Sequence, residues 1–147
     1  MCARATSCGR AQTRHFVDPS LAVAALRATP DTLLADLNFL GLLSKSLVVR
    51  DLRVYAQAAD GAVCHYRDQT GLEVDAILDT GERWGAFEIT LGANRIDEAA
   101  AHLATFAGRI DTTTRGPAAV LAVIVGTGYG YVRSDGVHVI PIGALGP

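Results

Sequence analysis

The spacing of hydrophobic positions changes several times along the chain, and each change marks a different kind of element. Apolar side chains at Leu33, Leu37, Leu40, Leu47, Leu52 and Tyr55 recur at roughly helical spacing. Asp18-Pro19 and Thr29-Pro30 each place a capping side chain before a proline at the first helical position. One helix is therefore predicted to open at Asp18 and a second at Thr29, the second running to Ala59 with a break near Gly41. Asp60-Gly61 ends it, and from Ala62 the period falls to two. Residues 62–67, 72–79 and 83–91 read as three short strands, separated by turn chemistry at Asp68-Gln69-Thr70-Gly71 and Thr80-Gly81-Glu82. Asn94 caps a helix to about Ile110 with an apolar stripe of Ile96, Ala99, Ala100, Leu103 and Phe106. The unbroken apolar run of residues 118–125 predicts a central strand buried on both faces. A closing hairpin follows around Ser134-Asp135-Gly136. The glycines of residues 126–130 read as a turn, because no helix pattern follows them to make a phosphate loop.

Strand alternation sorts the acids. With Leu72, Val74, Ala76 and Leu78 on one face of their strand, Glu73 and Asp75 take the other; in the next strand Phe87, Ile89 and Leu91 oppose Glu88 and Thr90. Paired as a hairpin, the two strands lay Asp75 beside Glu88. Neighbouring carboxylates repel unless a cation lies between them, and Mg²⁺ is held by one or two carboxylates plus water. Asp75 and Glu88 are thus candidate metal ligands, against the alternative of a solvent-facing polar side of a hairpin.

Composition narrows the classes. The chain has 147 residues, 50% of them hydrophobic and 19% charged, which suits one globular domain and excludes disorder over most of the length. A net charge of −2 gives no global attraction to nucleic acid, so such binding would need a local basic face, for which Arg50, Arg53, Arg67 and Arg83 are candidates. No apolar stretch is long enough to span a bilayer, and a soluble, cytoplasmic protein is expected. Cys2, Cys8 and Cys64 are an odd number with no CxxC pair, so reduced thiols are expected. Residues 1–14 carry Arg4, Arg10 and Arg14 and no acid, and read as a disordered leader before a single domain over residues 15–147. His15, His65, His102 and His138 show no metal or triad spacing and read as structural or surface residues. There is no GxxxxGK[ST] and hence no ATP site in this chain.

The order helix, helix, three strands, helix, buried strand, hairpin, with acids on the second and third strands, is similar to the restriction-endonuclease-like PD-(D/E)xK core. That implies an α/β fold: a mixed central sheet flanked by helices, here preceded by an N-terminal helical segment. More narrowly, HYRDQTGLEVDAIL, AFEITLG and DGVHVIPIGAL resemble the C-terminal domain of unknown function, family 4143, of bacterial and archaeal AAA+-type ATP-binding proteins. RHFVDPSLA and GLLSKSLVVRDLRVYA resemble that domain's opening and its signature helix, and the ATPase part is absent from this chain.

In the superfamily an Asp and an ExK triplet hold a divalent metal that activates water for phosphodiester hydrolysis. Asp75 and Glu88 match. Lys45 stands where the family usually has Glu, and Thr90 where it usually has Lys. The resemblance therefore implies a degenerate site of Asp75, Glu88, Lys45 and Thr90, weak Mg²⁺ binding, and a catalytically inactive accessory or interaction module. Its partners would be a second copy or an ATPase-family protein. Two alternatives stay open: an Mg²⁺-dependent DNA nuclease in which Lys45 replaces the strand lysine, and a nucleic-acid-binding module without hydrolysis. Lys45→Glu with Thr90→Lys is expected to strengthen metal binding, and Thr90→Lys alone to weaken it.

Overall fold

Side-chain caps set the starts of the second and third helices, whereas the first has Pro19 itself at its N-cap position and no side-chain cap, against the expectation of an Asp18 cap. In the computed structural model, which describes residues 15–146, Asp18 accepts a hydrogen bond from Ser20 N at 2.8 Å and α1 spans Ser20–Ala25. Thr29 and Thr32 cap each other around Pro30 to open α2, Pro30–Ala35. The break in the long helical stretch falls at Asp36, not near Gly41. The Asp36 carboxylate accepts from Phe39 N at 3.0 Å and starts α3, Leu37–Ala58. Gly41 lies inside α3, where an added Cβ would meet Leu91 Cδ1 at an ordinary 3.7 Å. The expected leader, with Cys2 and Cys8, lies outside the described residues. Cys64 is disulfide-bonded, against the expectation of reduced thiols.

The strands follow as β1 Ala62–Arg67, β2 Glu73–Asp79 and β3 Trp84–Thr90, then α4 Ile96–Gly108, α5 Thr112–Arg115, β4 Val120–Val125, β5 Tyr131–Val132 and β6 His138–Pro141. They form one six-stranded mixed sheet in the order β1-β2-β3-β4-β6-β5. β1, β2 and β3 are antiparallel; β3, β4 and β6 are parallel; β5 closes antiparallel on β6. The apolar run expected at the centre does become a central strand. Ala122 and Ile124 of β4 face α3, and Val123 and Val125 face α4. A parallel pair needs a crossover, and α4 supplies it between β3 and β4. Gly85 of β3 keeps that pair close, because an added Cβ would sit 2.6 Å from Val120 Cγ1.

The helices cover both sides of the sheet. Val48, Val49 and Leu52 of α3 pack on Ala76, Phe87 and Ile89, whereas the α4 stripe expected from sequence packs on Val74, Ile77, Trp84 and Ala86. On the α4 side the Phe106 ring meets Tyr66 at 4.8 Å and Trp84 edge-on at 5.9 Å. α1 buries only Ala22 and α2 no residue, so Leu21, Leu26, Leu34 and Leu37 stand exposed along this N-terminal segment. Among the described residues no helix is long and apolar enough to cross a membrane.

One expectation about the strands fails. Leu72, Val74, Ala76 and Leu78 do not share a face: Leu72 and Val74 pack on the α4 side, Ala76 and Leu78 on the α3 side. Cys64 pairs with Ile77 but Tyr66 with Val74, so β2 spends one more residue than β1 between the two pairs. This is a β-bulge. The extra residue falls at Asp75 and Ala76 opposite His65, and it reverses the alternation of everything after it.

Candidate functional site

The bulge positions Asp75, whose side chain is only 7% exposed. It lies one step beyond Ala76–Phe87, the terminal pair of the β2–β3 ladder, so the neighbouring Ile89 N–H has no strand carbonyl opposite it. The Asp75 carboxylate takes that role, Oδ2 accepting from Ile89 N at 2.9 Å. Its other oxygen faces α3, where Lys45 Nζ donates to Oδ1 at 2.6 Å. Lys45 is 38% exposed, so the pair joins a buried acid to an ammonium reached from solvent.

Glu88, on β3, completes the pair that the hairpin register predicts. It is 13% exposed, within hydrogen-bonding reach of Asp75, and has His102 of α4 at 4.0 Å. Burial first, then the charge of Asp75 and the hydrogen bond to it, push the Glu88 carboxyl up to about 9, with Lys45 opposing. At neutral pH Glu88 holds a proton beside the Lys45–Asp75 ion pair. That set is neutral and internally hydrogen-bonded.

A pH dependence follows. A carboxyl whose folded pKa lies above its unfolded value of 4.5 contributes stability while protonated, and that contribution is lost as pH rises from 4.5 toward 9. Glu88→Gln keeps a donor for Asp75 and cannot ionise. Its melting temperature is expected to exceed that of the unsubstituted protein by several degrees at pH 8 but not at pH 4, giving a flatter pH profile. Parallel profiles from thermal melts would show that Glu88 carries no raised pKa.

Thr90 lies elsewhere in the same strand end. Its hydroxyl donates to the Gly92 carbonyl at 3.4 Å, and its side chain lines a small cleft with Ser44, Val48 and Ile142 instead of the cavity lined by Lys45 and Asp75. Of the four expected site residues the fold thus links three through Asp75, which meets Lys45 on one side and Glu88 on the other.

The fit of a divalent cation can be judged from these contacts. Both Asp75 oxygens are engaged, the ammonium stands at the one facing the cavity, and Glu88 holds a proton. Among the described residues no group of three or more His, Cys, Asp or Glu side chains comes together to hold a metal. In this arrangement the residues do not fit Mg²⁺.

Beside the cluster lies a second polar set that residue spacing alone does not single out. His65 Nε2 and Glu73 Oε1 are 2.9 Å apart, Arg67 Nη1 lies 3.4 Å from the other Glu73 oxygen, and His15 Nδ1 is 3.4 Å from Ser46 Oγ. A usable signal existed, since alternation puts Glu73 on the Asp75 side of β2. The four-arginine basic face is partly spent: Arg50 pairs with Asp18 and Asp51, and Arg67 with Glu73, while Arg53 and Arg83 are exposed.

No curated protein and no solved structure matches the chain. A family match does exist, and it covers the signature helix, all six strands and the three linked residues. Over residues 40–145 the sequence matches the domain of unknown function DUF4143, and the chain belongs to that family.

Proposed function

We propose that this domain is a catalytically silent relative of the PD-(D/E)xK nucleases, serving as an accessory or interaction module of AAA+-type ATP-binding proteins. One observation carries the reading: the Lys45 ammonium lies 2.6 Å from Asp75 Oδ1, so a positive charge of the chain's own already serves the acid that the resemblance assigns to a metal. A lysine charge satisfies the acid pair but cannot offer the open coordination positions that polarise a phosphate and generate hydroxide. The mixed sheet with acids on β2 and β3 and a helix on either face supports the ancestry. The exposed leucines of α1 and α2 support a role in contacts with a second copy or an ATPase-family protein.

The same lysine contact also favours a second reading, a metal-dependent nuclease in which Lys45 acts as the catalytic lysine. Incubation of supercoiled and linear DNA with the purified protein in Mg²⁺ or Mn²⁺ decides between them. No cleavage above that of Asp75→Ala is expected. Cleavage that needs the metal and disappears in Asp75→Ala would sink the silent-domain reading and establish the second.

A further inference from the structure

The cavity on the α3 side of β2 has a volume of about 280 Å³, just below the range of drug-sized ligand pockets, about 300 to 1,000 Å³, and room for a smaller molecule. One wall is apolar, made by Phe16 ahead of α1 and by Phe39, Leu42, Leu43 and Val49 of α3. The floor is polar, and its acids are already satisfied. Asp75 is held by Lys45 and Ile89 N, and Glu73 by His65 and Arg67. The unspent capacity is on the donor side. An ammonium has three N–H groups, and Lys45 spends one on Asp75.

The charges around the cavity are paired. Lys45 pairs with Asp75 in its lining, Arg67 outside the lining pairs with Glu73, and the charge of Arg53, on the exposed side of α3, reaches His15. Burial first, then Arg53, His65 and Lys45, hold His15 below the ordinary histidine range, with Asp75 opposing. A cavity with an apolar wall, satisfied acids and two unspent N–H groups on Lys45 suits an acceptor with negative charge.

We propose that this cavity is a binding site for a small organic carboxylate, its hydrocarbon body against Phe16, Phe39 and Leu43 and its oxygens on Lys45. The site shares Lys45 with the silent cluster but does not depend on nuclease ancestry. Metal-dependent DNA cleavage would overturn the earlier reading and leave this one standing.

The test is an NMR titration of the full chain, following the ring signals of His15 and His65, with four probes: benzoate, hexanoate, benzyl alcohol and benzylammonium. Saturable shifts are expected with benzoate, with hexanoate or with both, the stronger of the two showing whether a ring or an alkyl chain fits. Benzyl alcohol should bind about tenfold more weakly than benzoate. Affinity for the acids should fall about tenfold in Lys45→Gln and about twofold in Arg53→Gln, which lies on the exposed flank and keeps the Asp75 pair intact. The His15 titration midpoint should rise in the presence of the bound acid, because a neighbouring anion favours the imidazolium. Equal binding of benzyl alcohol and benzoate, preference for benzylammonium, or no saturable shift below about 10 mM would each overturn the proposal. The comparison among probes needs no variant, so it stands even if Lys45→Gln fails to fold.

Discussion

Lys45→Glu is expected to turn a protein whose melting temperature ignores Mg²⁺ and Mn²⁺ into one that melts higher as either ion is added. In the unsubstituted chain the ammonium is 2.6 Å from Asp75 Oδ1 and excludes a second cation from that oxygen. Substitution removes the positive charge and puts a third carboxylate beside Asp75 and Glu88. Without metal the new carboxylate repels Asp75, which has lost its ion pair, so the variant should melt below the unsubstituted protein at neutral pH. With metal the same three groups become ligands, and an ion that binds only the folded state stabilises it by about 2.7 kcal/mol at one hundred times its Kd. The diagnostic result is therefore a crossing: lower stability in chelator, recovered stability in millimolar Mn²⁺. Melts of both proteins with and without Mn²⁺ measure it. A metal response in the unsubstituted protein, or none in Lys45→Glu, would show that the ammonium does not occupy a cation position.

Phe106→Ala should produce the largest loss of stability, about 3–5 kcal/mol in the range typical of aromatic truncation in a closed core. Phe106 is fully buried at the C-terminal end of α4 and touches both Tyr66 of β1 and Trp84 of β3. It therefore ties the crossover helix to two strands that do not pair with each other. Trp84 is fixed in turn by its indole N–H, which donates to the Gly116 carbonyl at 3.2 Å, so the surrounding side chains have little freedom to collapse into the space left behind. Set against a usual total of about 5–15 kcal/mol, the loss takes a large part of the stability of the fold. Urea unfolding should show a lower midpoint with an unchanged slope. A loss below about 1 kcal/mol would mean that α4 is held chiefly elsewhere.

The parts of this architecture that the sequence discloses are those where one local signal acts alone. Ile96, Ala99, Ala100, Leu103 and Phe106 repeat at helical spacing and do form the buried stripe of α4. The apolar run around Val120–Val125 is buried on both faces and does lie between two parallel neighbours. Asp36 shows the limit of such signals. Glycine at position 41 looked the better helix breaker, yet the break belongs to the residue whose side chain can cap, and Gly41 costs a long packed helix too little to end it.

The site was legible only in part. Asp75 and Glu88 fall opposite each other because register follows from the short turn between β2 and β3, but the bulge at Asp75 and Ala76 has no mark in the local pattern. It is set by pairing with β1, and without it strict alternation gives the wrong face for Ala76 and Leu78. Contact between Lys45 and Asp75 joins residues 30 positions apart and depends on how α3 lies across the sheet. The His65–Glu73 pair hides in the same way, its members on different strands and each unremarkable alone.

The division of the sheet into an antiparallel half and a parallel half also orders its assembly in time. β1, β2 and β3 meet through the short turns at residues 68–72 and 80–83, whereas β3 and β4 can pair only after the chain has passed through α4 and α5. Closing a longer loop loses more chain entropy before any contact rewards it, which makes non-local parallel pairing the slower event. Asp75 and Glu88 sit on the strands that meet first, and Lys45 on the helix just before them. The rate-setting step of folding is therefore expected in the half of the sheet formed by β4, β6 and β5, with the charged cluster in the half that closes without waiting for it.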